Sequence, residues 1–175
     1  MAGDSPETTL ARCVLALADP SATDAVAARL AGLWRAGDVI ALEGALGAGK
    51  TALARAAIRA AAGDPALEVP SPTFTLVQSY AVAGLEIWHF DLYRLSGADE
   101  VVELGWDEAR AEGVVLVEWP DRLDGLLPAD RLTLTLTQPP GGGTQTRQLI
   151  VDAGPSWRDR LAEFVAGFEP GVEDA

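Results

Sequence analysis

The sequence predicts an α/β fold of three layers, with a mixed, partly antiparallel sheet between two layers of helix. Three observations predict it. The short apolar run Val39-Ile40-Ala41-Leu42 leads into a glycine-rich stretch, which leads into thirteen residues rich in Ala, Leu and Arg from Lys50: strand, loop, helix. A second apolar run, Val114-Val115-Leu116-Val117, has the length and composition of another buried strand. Two pairs of alternating segments, joined by turn residues at 83–84 and 139–143, read as hairpins and bring antiparallel pairing into the sheet.

The elements follow in chain order. Residues 12–17 form a first strand. Asp19-Pro20-Ser21 opens a helix, with Ser21 as the expected N-cap and Asp24 completing a weak capping box. Val26, Leu30, Leu33 and Trp34 recur at helical spacing, and Gly37 is the expected stop. The glycine-loop strand and helix come next, ending at Gly63-Asp64-Pro65. Pro70 and Pro72 bracket Ser71, and 73–80 alternates like a strand before the turn at Ala83-Gly84 and the return over 85–91. Ser96 is expected to cap a short helix to Glu103, Gly105 interrupts it, and a second helix runs from Trp106 to Glu112 before Gly113. The strand over 114–118 is closed by Trp119-Pro120. Residues 131–137 and 145–151 make a hairpin expected at the sheet edge, and 155–168 a closing helix. Neither repeat nor linker divides the chain, so one domain spanning 1–175 is expected, with 1–9 and 169–175 as frayed tails.

The glycine-rich stretch is Gly44-Ala45-Leu46-Gly47-Ala48-Gly49-Lys50-Thr51, which fits G-x-x-x-x-G-K-[ST] without a mismatch and makes the predicted fold P-loop NTPase-like. The glycines allow positive φ, so backbone N–H groups can close on phosphate oxygens. The helix behind them adds its unpaired N–H groups and the positive end of its dipole. Lys50 would meet the β and γ phosphates as a point charge, and the Thr51 hydroxyl would ligate Mg²⁺. Lys50 is the only lysine; the other twelve cationic residues are arginine. A chain that uses arginine everywhere else has a chemical reason for lysine here.

Composition excludes several roles. Thirteen basic against twenty-six acidic residues give a net charge of −13, and no stretch is basic enough to displace counterions from nucleic acid. Direct binding of RNA or other nucleic acid is therefore not expected. No apolar run approaches membrane-spanning length, and 1–9 holds no apolar signal region. Cys13 is the single cysteine, which rules out an internal disulfide, and a reducing cytoplasm is the expected compartment. The guanine-selecting N-K-x-D motif needs a lysine, and the only one in the chain is in the glycine loop.

A P-loop protein also needs an acid at a strand end to hold Mg²⁺ directly or through water. Two compete: Glu118, after four apolar residues in a Walker B layout with Glu for Asp, and Asp91, after Ile87-Trp88-His89-Phe90. Thr73, in a proline-flanked segment, stands where a switch threonine closes over a γ phosphate in GTPases. His89, the only histidine, can be a packed imidazole or a general base, and Trp119 would lie at the nucleotide edge of the sheet. A small-molecule kinase and a nucleotide-dependent binding module stay open beside an ATPase.

Taken together, GALGAGKT at 44–51, SPTFTLVQSY at 71–80, HFDLYRL at 89–95, ELGWDE at 103–108 and VVLVEWPDR at 114–122 resemble the TsaE family (also called YjeE) over roughly residues 10–135. That family is the small ATPase of bacterial threonylcarbamoyladenosine tRNA modification. The resemblance implies ATP binding with Mg²⁺, slow hydrolysis stimulated by partners, and assembly with the TsaB and TsaD proteins; the free protein is expected to be a monomer or weak dimer. By position it implies that residues 44–51 bind phosphate, that Thr51 and Glu118 hold the metal, and that Thr73 belongs to the switch. It further implies that Asp91, the acid of H-x-D-x-Y-R, is needed for activity and that Trp119 lies beside the nucleotide.

Overall fold

The computed structural model describes residues 11–168; the expected frayed tails, 1–9 and 169–175, lie outside the described residues. Seven strands form one sheet in the order β1-β7-β6-β2-β5-β4-β3. β2 (Val39–Glu43) sits at its centre, parallel to β5 (Val114–Glu118) on one side and β6 (Leu132–Thr137) on the other. β4 (Leu85–Asp91) runs parallel to β5, whereas β3 (Val77–Val82), β7 (Arg147–Ala153) and β1 (Ala11–Leu17) pair antiparallel to their neighbours.

Alternation along the central strands builds two cores. Ile40, Leu42, Val114 and Leu116 face a layer made by α1 (Pro20–Ala31), α2 (Lys50–Ala62) and α5 (Arg158–Val165). Val39, Ala41, Val115 and Val117 face the opposite layer, made by α3 (Ala98–Glu103), α4 (Trp106–Glu112) and a 3₁₀ segment, Pro120–Leu126. Strands buried on both faces carry no polar alternation, which is why β2 and β5 read as unbroken apolar runs. Among the described residues, no helix is long and apolar enough to cross a membrane.

Where β2 begins, Arg160 of α5 makes a buried two-pronged pair with Asp38, at 2.7 and 3.0 Å, and its guanidinium stacks 3.7 Å from the Trp157 ring centre. Arg160 also donates to the Leu33 and Ser156 carbonyls, and Asp38 accepts from the Arg35 N–H. This network clamps the end of the sheet remote from the glycine loop.

Several expected boundaries move, each for a local reason. Asp19, not Ser21, caps α1: its backbone is extended, its Oδ1 accepts the Ala22 N–H at 2.9 Å, and Pro20 takes the first helical position, where its missing N–H costs nothing. The helix closes at Gly32 rather than Gly37, with the Gly32 N–H on the Ala28 carbonyl; Gly37 (φ 92) instead turns the chain into β2. β3 starts at Val77, not Thr73, because the Leu76 N–H folds back to the Pro72 carbonyl at 2.7 Å and Leu76 takes φ 68, outside strand geometry. Gly97, not Ser96, caps α3; the Ser96 N–H is taken by Glu100. The β6–β7 hairpin is interior to the sheet. β1 covers β7 over seven residue pairs and so pairs backbone groups that an edge would leave open. The closing helix divides into a 3₁₀ turn, Pro155–Trp157, and α5.

Candidate functional site

Parallel pairing of β2, β5 and β4 brings three strand ends to one edge, the usual ligand position in open α/β sheets. Asp91 is the register partner of Glu118, and Glu118 of Leu42, so both acids of the sequence reading end neighbouring strands beside the loop. His89, Asp91 and Glu118 alternate with core residues of the far layer, which turns all three toward α2.

The loop geometry follows from its glycines. Gly44 has φ 141, and a Cβ there would stand 2.6 Å from the Leu136 carbonyl oxygen, so no other residue fits between loop and β6. Gly49, at φ 107, turns the chain into the first turn of α2. Arg147 of β7 ties the loop down from behind, donating to the Ala48 carbonyl at 2.9 Å.

Lys50 is 5% exposed. Its ammonium donates to the Gly44 and Ala45 carbonyls, at 2.6 and 2.9 Å, and lies 4.2 Å from the centre of the Trp119 ring. Burial lowers its pKa from the ordinary 10.5, while the negative charges of Glu118 and Asp91 raise it in opposition. Trp119 reaches this place through a left-handed backbone, φ 59 and ψ 53, and packs its ring 4.9 Å from that of Tyr93. A non-glycine residue held there stores strain of order 1–3 kcal/mol, a pattern that gathers at ligand sites.

Next to Lys50, the Thr51 hydroxyl lies 2.9 Å from each oxygen of Glu118. His89 Nε2 is 2.8 Å from Glu118 Oε1, and both side chains are almost wholly buried. Across the opening, the Thr73 hydroxyl donates to Asp91 Oδ2 at 3.2 Å and shares a 2.7 Å hydrogen bond with Ser71; the Tyr93 N–H donates to Asp91 Oδ1. One cavity of about 240 Å³ is lined by Leu46, Gly47, Gly49, Lys50 and Thr51 of the loop, and by Ala52, Thr73, Asp91, Tyr93, Glu118 and Trp119. A larger cavity of about 520 Å³ lies between α1 and α2 and holds none of these groups except Ala52.

The structure thus brings together Thr73, Asp91, Glu118, Trp119 and the forward half of the loop. Gly44, Ala45 and Ala48 are not among the lining residues; their carbonyls point to Lys50 and Arg147. Two participants were not singled out from the sequence: Tyr93, although it lies within HFDLYRL, and Arg147, for which no sequence signal exists. Of the two readings open for His89, the structure bears out the packed imidazole, since the ring is fully buried; its hydrogen bond to Glu118 is the part that the sequence does not show.

The donor set fits a triphosphate with magnesium. Among the described residues, no three His, Cys, Asp or Glu side chains are placed to hold a metal alone. Thr51 and Glu118 offer one hydroxyl and one carboxylate, the small protein share that Mg²⁺ takes when phosphate and water complete its six ligands.

Comparison with known proteins places the chain. A family model described as threonylcarbamoyl adenosine biosynthesis protein TsaE matches residues 17–148. The tRNA threonylcarbamoyladenosine biosynthesis protein TsaE of Bacillus subtilis is 35% identical over 146 residues, 83% of this chain and 88% of that one. The protein of the same name from Rickettsia felis is 36% identical over 123 residues, covering 70% and 71%. The crystal structure of YdiB from Bacillus subtilis superposes with a TM-score of 0.70 at 28% identity, over 90% of this chain and 96% of that one. The family match runs from the last residue of β1 into β7 and takes in every residue of the cavity, and on that ground the chain belongs to the TsaE family.

Proposed function

We propose that the protein binds ATP with Mg²⁺ and hydrolyses it slowly, as a subunit required for threonylcarbamoyladenosine modification of tRNA next to the anticodon. It acts on a TsaB–TsaD complex rather than on tRNA, and does so in the cytoplasm. The observation that carries this reading is the convergence of Lys50, Thr51 and Glu118 at one opening, with Thr51 Oγ1 at 2.9 Å from both carboxylate oxygens. The names of the relatives support the modification, and the net charge of −13 supports leaving tRNA to partners.

Each side chain has a part. Lys50 leaves the loop carbonyls for the β and γ phosphate oxygens, and the loop N–H groups cradle the rest of the triphosphate. Thr51 and Glu118 would hold Mg²⁺, which would supply charge neutralisation at the phosphates. Asp91, fixed by the Tyr93 N–H and the Thr73 hydroxyl, orients the attacking water, and the 71–76 turn lets Thr73 follow the γ phosphate. The Trp119 and Tyr93 rings, packed on each other, flank the opening beside Lys50.

The test is phosphate release, with and without the two partner proteins. Turnover that rises on adding partners supports the reading. Replacing Glu118 or Asp91 by Ala should lower the stimulated rate by about 100-fold while ADP binding without metal changes far less, the pattern of groups that act through the metal or in the transition state. Wild-type rates in both variants would defeat these assignments. ATP consumption that depends on a small acceptor would make the protein a kinase instead, and no consumption under any condition would make it a binding module.

A further inference from the structure

The histidine has no part in the scheme above, and its surroundings are specific. His89 is fully buried, and its Nε2 meets Glu118 Oε1 at 2.8 Å. Its Nδ1 is also buried, with no hydrogen-bond partner among the described residues. A carboxylate only accepts, so the ring nitrogen facing it carries the hydrogen, and in the neutral ring Nδ1 is then the bare nitrogen. Leaving a lone pair unpaired is the milder of the two failures a buried imidazole can suffer; an orphaned N–H is the rarer and harsher one. The Nε2–H tautomer is thus selected by the site itself.

Glu118 is gripped unequally. Its Oε1 lies within hydrogen-bond distance of both His89 and Thr51, whereas Oε2 has Thr51 alone, and the residue lines the cavity. Two χ torsions and a rotating carboxylate would otherwise have to be ordered when a cation arrives. A general base would need to face the cavity, and His89 is not among its lining residues.

Resting on the proposal that Thr51 and Glu118 hold the divalent cation, we propose that His89 is a positioning residue. Its Nε2–H holds Glu118 by Oε1, so that Oε2 faces Thr51 and the metal. It acts on metal affinity through the carboxylate and touches neither nucleotide nor water. Partners of a metal-binding carboxylate that lie one shell out are typically worth 10- to 100-fold in metal affinity.

Two variants separate this role from a structural one. His89→Phe fills the space without a donor, and His89→Gln sets an amide N–H close to where Nε2 stands. Calorimetry with ADP, with and without Mg²⁺, reads the gain in affinity that the metal supplies, and thermal melting reports folding. His89→Phe is expected to cut the metal-dependent gain about 10-fold or more with metal-free ADP binding within about twofold of wild type, and His89→Gln to restore most of it. An undiminished gain in His89→Phe overturns the proposal, as does a His89→Gln variant no better than His89→Phe, or an equal loss of binding with and without metal. If neither variant folds, the wild-type ring still decides. His89 is the chain's single histidine, so its ¹⁵N signals need no assignment, and a bare Nε2 with a protonated Nδ1 overturns the proposal. Wild-type protein that gains nothing from Mg²⁺ would sink the metal assignment of Thr51 and Glu118 together with this one. A normal wild-type gain with an unaffected His89→Phe would sink this one alone.

Discussion

Two buried groups of charge sit at opposite ends of the same sheet, and they are satisfied in different ways. At the start of β2, Arg160 and Asp38 neutralise each other, and their further contacts run to other groups of the fold: the Leu33 and Ser156 carbonyls, the Arg35 N–H, the Trp157 ring. At the other end, Lys50 donates to two neutral carbonyls rather than to a carboxylate, and Glu118 and Asp91 accept only from hydroxyl, imidazole and backbone groups. The first group has spent its charge on the fold. The second keeps a cation and two anions facing one cavity, which is how a ligand of opposite charges, a polyanion with its metal, is accommodated.

The contrast is broken most severely at the closed end. Arg160→Met keeps most of the side-chain volume but strands the Asp38 carboxylate in a dry site. Removing one partner of a buried pair typically costs about 3–5 kcal/mol, so denaturant midpoints should fall sharply. Nucleotide affinity of the fraction that stays folded should match wild type. A variant that kept full stability would mean that Asp38 is satisfied by the Arg35 N–H alone, and that the clamp is ornamental.

Lys50→Ala at the open end should do the reverse. It removes the phosphate cation while sparing the core, so ATP affinity should fall by about 100-fold or more, a loss of about 2.8 kcal/mol at 1.4 kcal/mol per decade, with only a small change in melting temperature. Titration with ATP checks the first and a thermal melt the second. Unchanged affinity would remove the basis for the nucleotide reading. A large loss of stability instead would mean that Lys50 belongs, like Arg160, to the fold.

How legible each end was in the sequence follows from the range of the interactions. The open end is built from local chemistry: Gly44, Gly47 and Gly49 at fixed spacing, Lys50 and Thr51 at a helix start, and an acid ending each of two apolar runs. Those signals placed β2, α2, β4 and β5 within a residue. The closed end joins Asp38 to Arg160 across more than a hundred residues, and nothing in a one-dimensional pattern marks either partner. The same limit explains the hairpin. Residues 131–151 alternate as a strand pair wherever they sit, and only the long-range pairing of β1 with β7 makes them interior. Local competition accounts for the other shifts. Asp19 and Ser21 are both good caps, and the proline between them decides; Leu76 has strand composition but closes a turn on Pro72. The contact of His89 with Glu118 needed the register of β4 on β5, which composition does not specify.

The smallest effect sharpens the comparison by its sign. Burial holds the Lys50 pKa below the ordinary 10.5, so between that lowered value and 10.5 the unfolded chain binds more protons than the folded one at this site. Through Lys50, stability therefore rises with pH in that window, and below it the fold carries the cost of a dry ammonium. Phosphate works the other way. A triphosphate beside Lys50 favours the ammonium and raises its pKa, so binding takes up a proton in the same window and affinity declines as pH climbs. The decline should stay within about 10-fold per pH unit, the limit for a single proton. Tyr80, whose pKa burial raises above the ordinary 10.0 despite Arg55, adds an opposing loss of stability at the alkaline limit, so the measurement compares wild type with Lys50→Met. Calorimetry of ATP binding in two buffers of different ionisation heat should show proton uptake growing from neutral to alkaline pH in wild type, with none assignable to this site in the variant. Proton release instead would mean that the phosphates settle away from Lys50, and that the open end holds its charges for something else.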